Sequence, residues 1–230
     1  MKKQLIVLIV ALCTASLSWA DKREDAIKRL QMAADVLDAI TSAPDKGIPL
    51  EVLDHAKCIA VVPHMVKGGF IIGGQGGGGV ATCRTARGWS APAFFTIAGG
   101  SFGLQIGVEG IDLVMVVQNE QGMNRFLGSK FQIGADASAA AGPVGRHASA
   151  GTDWKMDAEI LTYSRAKGVF GGLTLNGNGI STDSDSNKIL YGTTDVKSIL
   201  TGQVQPTPEA RPFLHAVHQA RERAAAAAHR

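Results

Sequence analysis

The sequence predicts an α+β fold: a curved antiparallel sheet or partly closed barrel of short, glycine-rich strands, with an N-terminal amphipathic helix and smaller covering helices. Three observations point there. Residues 68–79, GGFIIGGQGGGG, hold eight of the chain's 28 glycines. No helix survives that, because each glycine costs a helix interior about 0.5–1 kcal/mol relative to alanine. Residues 102–108 alternate strictly, with Phe102, Leu104, Ile106 and Val108 on one face and Gly103, Gln105 and Gly107 on the other. Residues 21–41 instead repeat apolar side chains at steps of three and four, the period of a helix.

Taken in order, the chain begins with Met1, Lys2 and Lys3, an apolar run at residues 5–12, and Ser18, Trp19 and Ala20. A basic start, apolar middle and small-residue end predict a cleaved leader covering residues 1–20. The run is far short of the roughly 20 residues that span a bilayer. A lipid anchor at Cys13 fits less well, because Leu12 stands where a small residue is expected. In the helix that follows, Ile27, Leu30, Ala34 and Leu37 line one face and Ala26, Ala33 and Ile40 widen it. Four basic and five acidic residues between 21 and 40 leave it without the net charge that would draw it to an anionic surface, so packing of the stripe against the sheet is the favoured reading.

Pro44, Gly47 and Pro49 mark a turn, and Pro49 suits the first turn of a short helix through His55. Residues 59–62 form a strand that Pro63 ends. Phe70, Ile71 and Ile72 form another, residues 73–79 a glycine turn, and residues 80–83 a third strand. Strands follow at 89–97, 102–108 and 111–117, then a short helix at 119–127 and a strand at 131–135. The small residues of 135–144 suit close packing. Strands at 161–167 and 169–176, a brief amphipathic turn or helix at 195–200, and a terminal helix over 213–228 after Pro206, Pro208 and Pro212 complete the chain.

Several chemistries are excluded by pattern. A phosphate loop needs lysine after its glycines, and none follows this run until Lys130. A dinucleotide fingerprint needs a helix where VATCR stands. His55, Cys58, His64 and Cys83 match no structural zinc spacing. Asp183, Asp185 and Asn187 open like a calcium loop, but Lys188 and Thr194 replace the required glycine and glutamate, so a polar turn is expected. With no GxSxG and no HExxH, the sequence predicts no enzyme, no metal and no cofactor, a hydrolase assembled from distant residues being the less favoured alternative. The formal charge is +3, and loss of Lys2 and Lys3 leaves 21 basic against 20 acidic residues. That near balance argues against nucleic acid as a partner.

Longer motifs carry a resemblance. AKCIAVVPHMVKGGFIIGGQGGGGVATCR, GWSAPAFFTIAGGSFGLQIGVEGIDLVMVV, AAGPVGRHASA, YSRAKGVFGGLTLNGNGI and ILYG run in the order and spacing of the SYLF domain, over residues 34–202. The chain is thereby identified as a member of a family found in bacteria, in yeast actin-patch proteins and in plant FYVE proteins, departing from its pattern at Cys58 and Cys83. The resemblance implies a module, here residues 21–203, that binds anionic phospholipid or a membrane surface. A linker and helical tail follow at 204–230. The expected place is the periplasm or exterior, peripheral to a membrane; a structural or stress-related role through a protein partner is the alternative. By analogy with the amphipathic helix of eukaryotic members, Lys22, Arg23 and Arg29 are the expected lipid-binding residues. Lys67 and the glycine loop around Gln75 come next, with Arg84 and Arg146 as further basic candidates.

Cys58 and Cys83 are the two cysteines left after the leader. An oxidising compartment favours a disulfide that would stabilise the fold by roughly 3 kcal/mol. A simple meander of three strands would hold them apart, so the sequence leaves the pairing open.

Overall fold

The computed structural model describes residues 2–43, 47–143, 158–166, 169–171 and 175–228, with side chains described outside 2–20, 69–72, 101–108, 169–171 and 227–228. Two long strands dominate it: β1 (Cys58–Thr85) and β3 (Ala93–Val117), joined through the two-residue β2 (Gly88–Trp89). The glycine run is not a turn between short strands. It is strand throughout, paired residue by residue from Gly73 with Ser101 to Gly79 with Phe95. Ladder hydrogen bonds use only backbone groups, so glycine does not break them while the partner strand is in register. Likewise residues 102–108 and 111–117 belong to one strand, and Pro63 does not end β1 but sits in a register shift between Val62 and Met65.

What the glycines permit is a fold of the ribbon onto itself. A Cβ on Gly79 would meet the Phe95 ring at 2.5 Å and the Val61 carbonyl oxygen at 2.8 Å, and one on Gly77 would meet Val62 Cγ1 at 2.9 Å. The second half of β1 therefore lies across its first half at a distance no side chain would allow. At the ends, the Arg84 amide donates to the Lys57 carbonyl at 2.7 Å, and Cys58 and Cys83 are joined by a disulfide with 4.0 Å between Cα atoms. The meander that would have separated the sulfurs is absent because one strand supplies both.

Six short strands extend this ribbon: β4 (Lys130–Gln132), β5 (Ala139–Ala141), β6 (Ile160–Ala166), β7 (Val169–Gly171) and β8 (Gly179–Thr182) besides β2. The order is β2-β1-β3-β6-β5, with β7 on β6 and β8 bridging β3 and β4; β5 runs parallel to β6 and the other pairs are antiparallel. The whole is a strongly curled half-barrel.

Strand alternation sorts the core onto two faces. Ile59, Val61, Val80, Phe94, Val116 and Leu161 meet the helices, while Ala60, Met65, Phe95, Leu113, Met115 and Ile160 face the inside of the curl. The helical side is built by α1 (Lys2–Thr41), α2 (Leu50–His55) and α6 (Arg211–Ala228). On α1, Ala26, Leu30, Ala33, Leu37 and Ile40 are buried, and Ile27 stands at the edge of that stripe. Phe213, Ala216, Val217 and Ala220 are the buried face of α6. Among the described residues no helix is long and apolar enough to cross a membrane. The short α3 (Glu120–Phe126) starts under Asn119, whose side chain accepts from the Gly122 amide.

The DSDSN stretch is helix, not a polar turn. Asp183 caps α4 (Ser184–Tyr191) by accepting from the Ser186 amide, and Gly192, at φ 73°, ends it in the left-handed conformation. Asn187 is fully buried; its Oδ1 accepts from the Phe94 amide at 2.8 Å and its Nδ2 donates to the Phe94 carbonyl at 3.0 Å, so α4 is clamped to β3. Asp195 caps α5 (Val196–Leu200) in the same way.

Candidate functional site

The basic residues of α1 are engaged within the molecule. Lys22 Nζ lies 3.0 Å from Asp185 Oδ2, and Arg23 donates to Glu209 Oε1 at 2.5 Å and to the Ile189 carbonyl at 3.3 Å. Arg29 donates to Asp183 Oδ2 at 2.7 Å, with its guanidinium 5.6 Å from the Phe94 ring centre. These contacts tie α1 to α4 and to the 3-10 turn Pro208–Ala210. Lys22 and Asp185 are largely exposed, so that pair contributes little. The side chains of Arg29 and Asp183 are only 21% and 15% exposed. Burial pushes the Asp183 carboxyl up, but hydrogen bonds from Arg29 and Ser186 outweigh it and hold it below the usual aspartate range.

Lys67 lies elsewhere, on β1 opposite Glu109 of β3. It sits where the ribbon reverses. Since Cys58 meets Cys83 and Val61 meets Gly79, the reversal is centred near residue 71, in the paired segments 66–75 and 99–110. Among the described residues those segments pair only with each other, and the register shifts once more between Gly69 and Ile71. Val66 is 46% exposed, the one exposed large apolar side chain among the described residues. Gly74, Ala98 and Gly100 are exposed as well. No Asp, Glu, Lys or Arg occurs between Lys67 and Arg84 or between Arg87 and Glu109.

Polar side chains fix both legs of this bend. On one, Gln75 Nε2 donates to Asn178 Oδ1 at 3.0 Å, and Asn178 Nδ2 donates to the Leu175 carbonyl at 2.8 Å, both side chains being buried. Gly99 has no room for a Cβ because Asn178 lies on it. On the other, the His64 amide donates to Asp112 Oδ1 at 3.1 Å, while Asp112 Oδ2 accepts from Arg165 at 2.7 Å. Each glycine-rich segment alone carries no signal of the bend. Their signal is joint: they have similar length and composition, and each lacks charge, as two strands of one ribbon would.

At the other end of β1, the Arg84 guanidinium stacks 4.2 Å from the Trp89 ring centre. Burial lowers its pKa first, and the neighbouring Arg221 lowers it further. Arg87 donates to the Gly202 carbonyl at 3.0 Å, and Arg221 pairs with Asp54. Arg146 falls outside the described residues. Among the described residues no group of three or more His, Cys, Asp or Glu side chains could hold a metal ion.

Comparison with known proteins adds a family. The model for "Ysc84: Las17-binding protein actin regulator" matches residues 98–220. The SH3 domain-containing YSC84-like protein 1 of Xenopus laevis is 33% identical over 78% of this chain and 56% of its own length. The LAS seventeen-binding protein 3 of Saccharomyces cerevisiae is 34% identical over 74% of this chain and 38% of its own, and the yeast Protein YSC84 is 35% identical over 74% and 37%. The chain spans about half, or less, of the length of these relatives.

Proposed function

Because this chain belongs to the Ysc84 family, whose shared unit is the SYLF domain, we propose that it is a non-enzymatic lipid-binding module acting on the surface of a phospholipid membrane. Its place of action is the bacterial envelope, reached with loss of residues 1–20. The observation that carries this reading is the surface at the ribbon bend. Exposed Val66 stands beside Lys67, with Glu109 opposite, at the border of the uncharged residues 68–75 and 99–108, an apolar and polar pairing suited to the boundary between headgroups and acyl chains. Arg29 and Arg23 serve by contrast to tie α1 to the rest of the fold, and Lys22 is paired with Asp185 at the surface. The test is co-sedimentation of the protein with vesicles of phosphatidylglycerol and phosphatidylcholine. Binding to the mixed vesicles is expected, and a folded protein that stays in the supernatant at every lipid concentration overturns the reading.

A second reading, a protein partner, draws on the Arg84 and Trp89 corner, because arginine and tryptophan dominate the energetic centres of protein interfaces. The family and one of the relatives, the yeast LAS seventeen-binding protein 3, are named for binding another protein. This reading predicts that a partner retained from the protein's own envelope extract is lost on Trp89→Ala and kept on Val66→Ser; retention by both variants rejects the corner.

A further inference from the structure

We infer that the ribbon bend, residues 66–75 with 99–110, is the element that enters the lipid, and that it does so by shallow insertion rather than by charge attraction. This rests on the phospholipid reading above. The bend is where the long ribbon turns back on itself, so both strands leave it toward the core and neither ends there. Its sequence supplies Phe70, Ile71 and Ile72 on one strand and Phe102, Leu104, Ile106 and Val108 on the other, with Ile72 opposite Phe102 in register. Charge is absent through residues 68–75 and 99–108. On the leg that leads to Cys58 it begins again at Lys67 and the facing Glu109, with the ring-bearing His64 exposed behind them, while the leg that leads to Arg84 stays uncharged. An uncharged tip bordered on one leg by charge complements an apolar phase bounded by a polar one.

Depth follows from the backbone. A two-stranded ribbon has free N–H and C=O groups along both outer edges, and such edges do not occur in the centre of a bilayer, where nothing satisfies them. At the headgroup boundary, water and ester oxygens can accept and donate, so insertion of about 5–10 Å is what the ribbon permits. The glycines serve the same end: they leave room for the sharp reversal that presents both strands at one place. α1 cannot do this work while its stripe of Leu30, Leu37 and Ile40 is buried against the sheet and its basic side chains are held by Asp183, Asp185 and Glu209.

The experiment compares vesicle binding of the full chain with the double variant Ile72→Asp, Phe102→Asp and with Lys67→Gln, using phosphatidylglycerol–phosphatidylcholine vesicles in low salt and in about 1 M salt, where the Debye length is about 3 Å. Insertion predicts that wild type still binds in high salt, that the double variant binds at least about tenfold more weakly, and that Lys67→Gln weakens low-salt binding by no more than about fivefold, less than the double variant does. Should the double variant fold poorly, Ile72→Trp keeps the apolar character: brominated acyl chains are expected to quench the added fluorescence when bromine is placed near the ester end, and less when it is near the chain terminus. A wild type that binds while the folded double variant binds equally overturns the inference and leaves the lipid reading standing. Absence of binding by wild type overturns the lipid reading and the inference with it. A wild type that is dimeric in solution and becomes monomeric in the double variant, with unchanged lipid binding, assigns the bend to a second copy of this chain instead.

Discussion

Two regions of this molecule carry apolar residues beside basic ones, α1 and the ribbon bend, and the structure treats them oppositely. In α1 the apolar stripe is sealed: Leu30, Ala33 and Leu37 are fully buried, and each of Lys22, Arg23 and Arg29 has a carboxylate partner. In the bend, Val66 is open and the strands beyond it pair only with one another among the described residues. Amphipathic periodicity shows that a helix has an apolar face, but a bilayer and a sheet satisfy that face equally well. What decides is whether some other element covers it. Here the partners of the α1 bases lie more than 150 residues downstream, at separations of 163, 186 and 154.

Substitutions should break the two regions in different ways. The largest effect is expected in the helix layer. Leu37→Ala removes a fully buried side chain and should cost about 2–5 kcal/mol in denaturant unfolding, measured at unchanged m. A cost below about 1 kcal/mol would mean α1 is loosely docked. Next comes the clasp that closes the ribbon. Cys58→Ala with Cys83→Ala removes a bridge spanning 25 residues and should cost about 3 kcal/mol by the chain-entropy account. Thiol titration of the unfolded, non-reduced wild type should find neither cysteine free.

Smaller effects sharpen the contrast. Gly79→Ala places a methyl against the Phe95 ring and the Val61 carbonyl and should cost about 1–3 kcal/mol, although alanine is chemically mild and the site is in a strand. Asp183→Ala removes both the α4 cap and the Arg29 pair, for about 1–3 kcal/mol near neutral pH. Because the folded carboxyl titrates below its ordinary value, its contribution is fully present above the unfolded pKa of about 4 and is lost as pH falls through the lower folded value. The gap between wild type and variant should therefore narrow only in acid; a constant gap would assign the effect to packing alone. Last, Lys22→Ala should shift stability by no more than about 0.5 kcal/mol, the pair being exposed.

Much of the architecture was legible because it depends on periodicity. The helix at 21–41, the terminal helix, the short helices near 119–127 and 195–200, and the α+β class with a curved sheet all follow from local pattern. Local reasoning failed where the long-range register decided. Gly73 to Gly79 look like a turn because glycine has low strand propensity, yet each finds a backbone partner on β3, and the curl needs the missing Cβ atoms. Ser184 to Tyr191 form a helix although their calcium-loop spacing suggests a turn, because the Asp183 cap and the Gly192 stop, both readable in the sequence, decide the local structure. The parallel pairing of β5 with β6 carries no signal within either strand.

The claim that the bend and not α1 meets the membrane is tested most directly by amide hydrogen exchange of the protein with and without phosphatidylglycerol-containing vesicles. The account predicts vesicle-induced protection at residues 66–75 and 99–110, with the amides of residues 22–41 unchanged. Protection confined to residues 22–41, with the bend exchanging as it does in free solution, would contradict it.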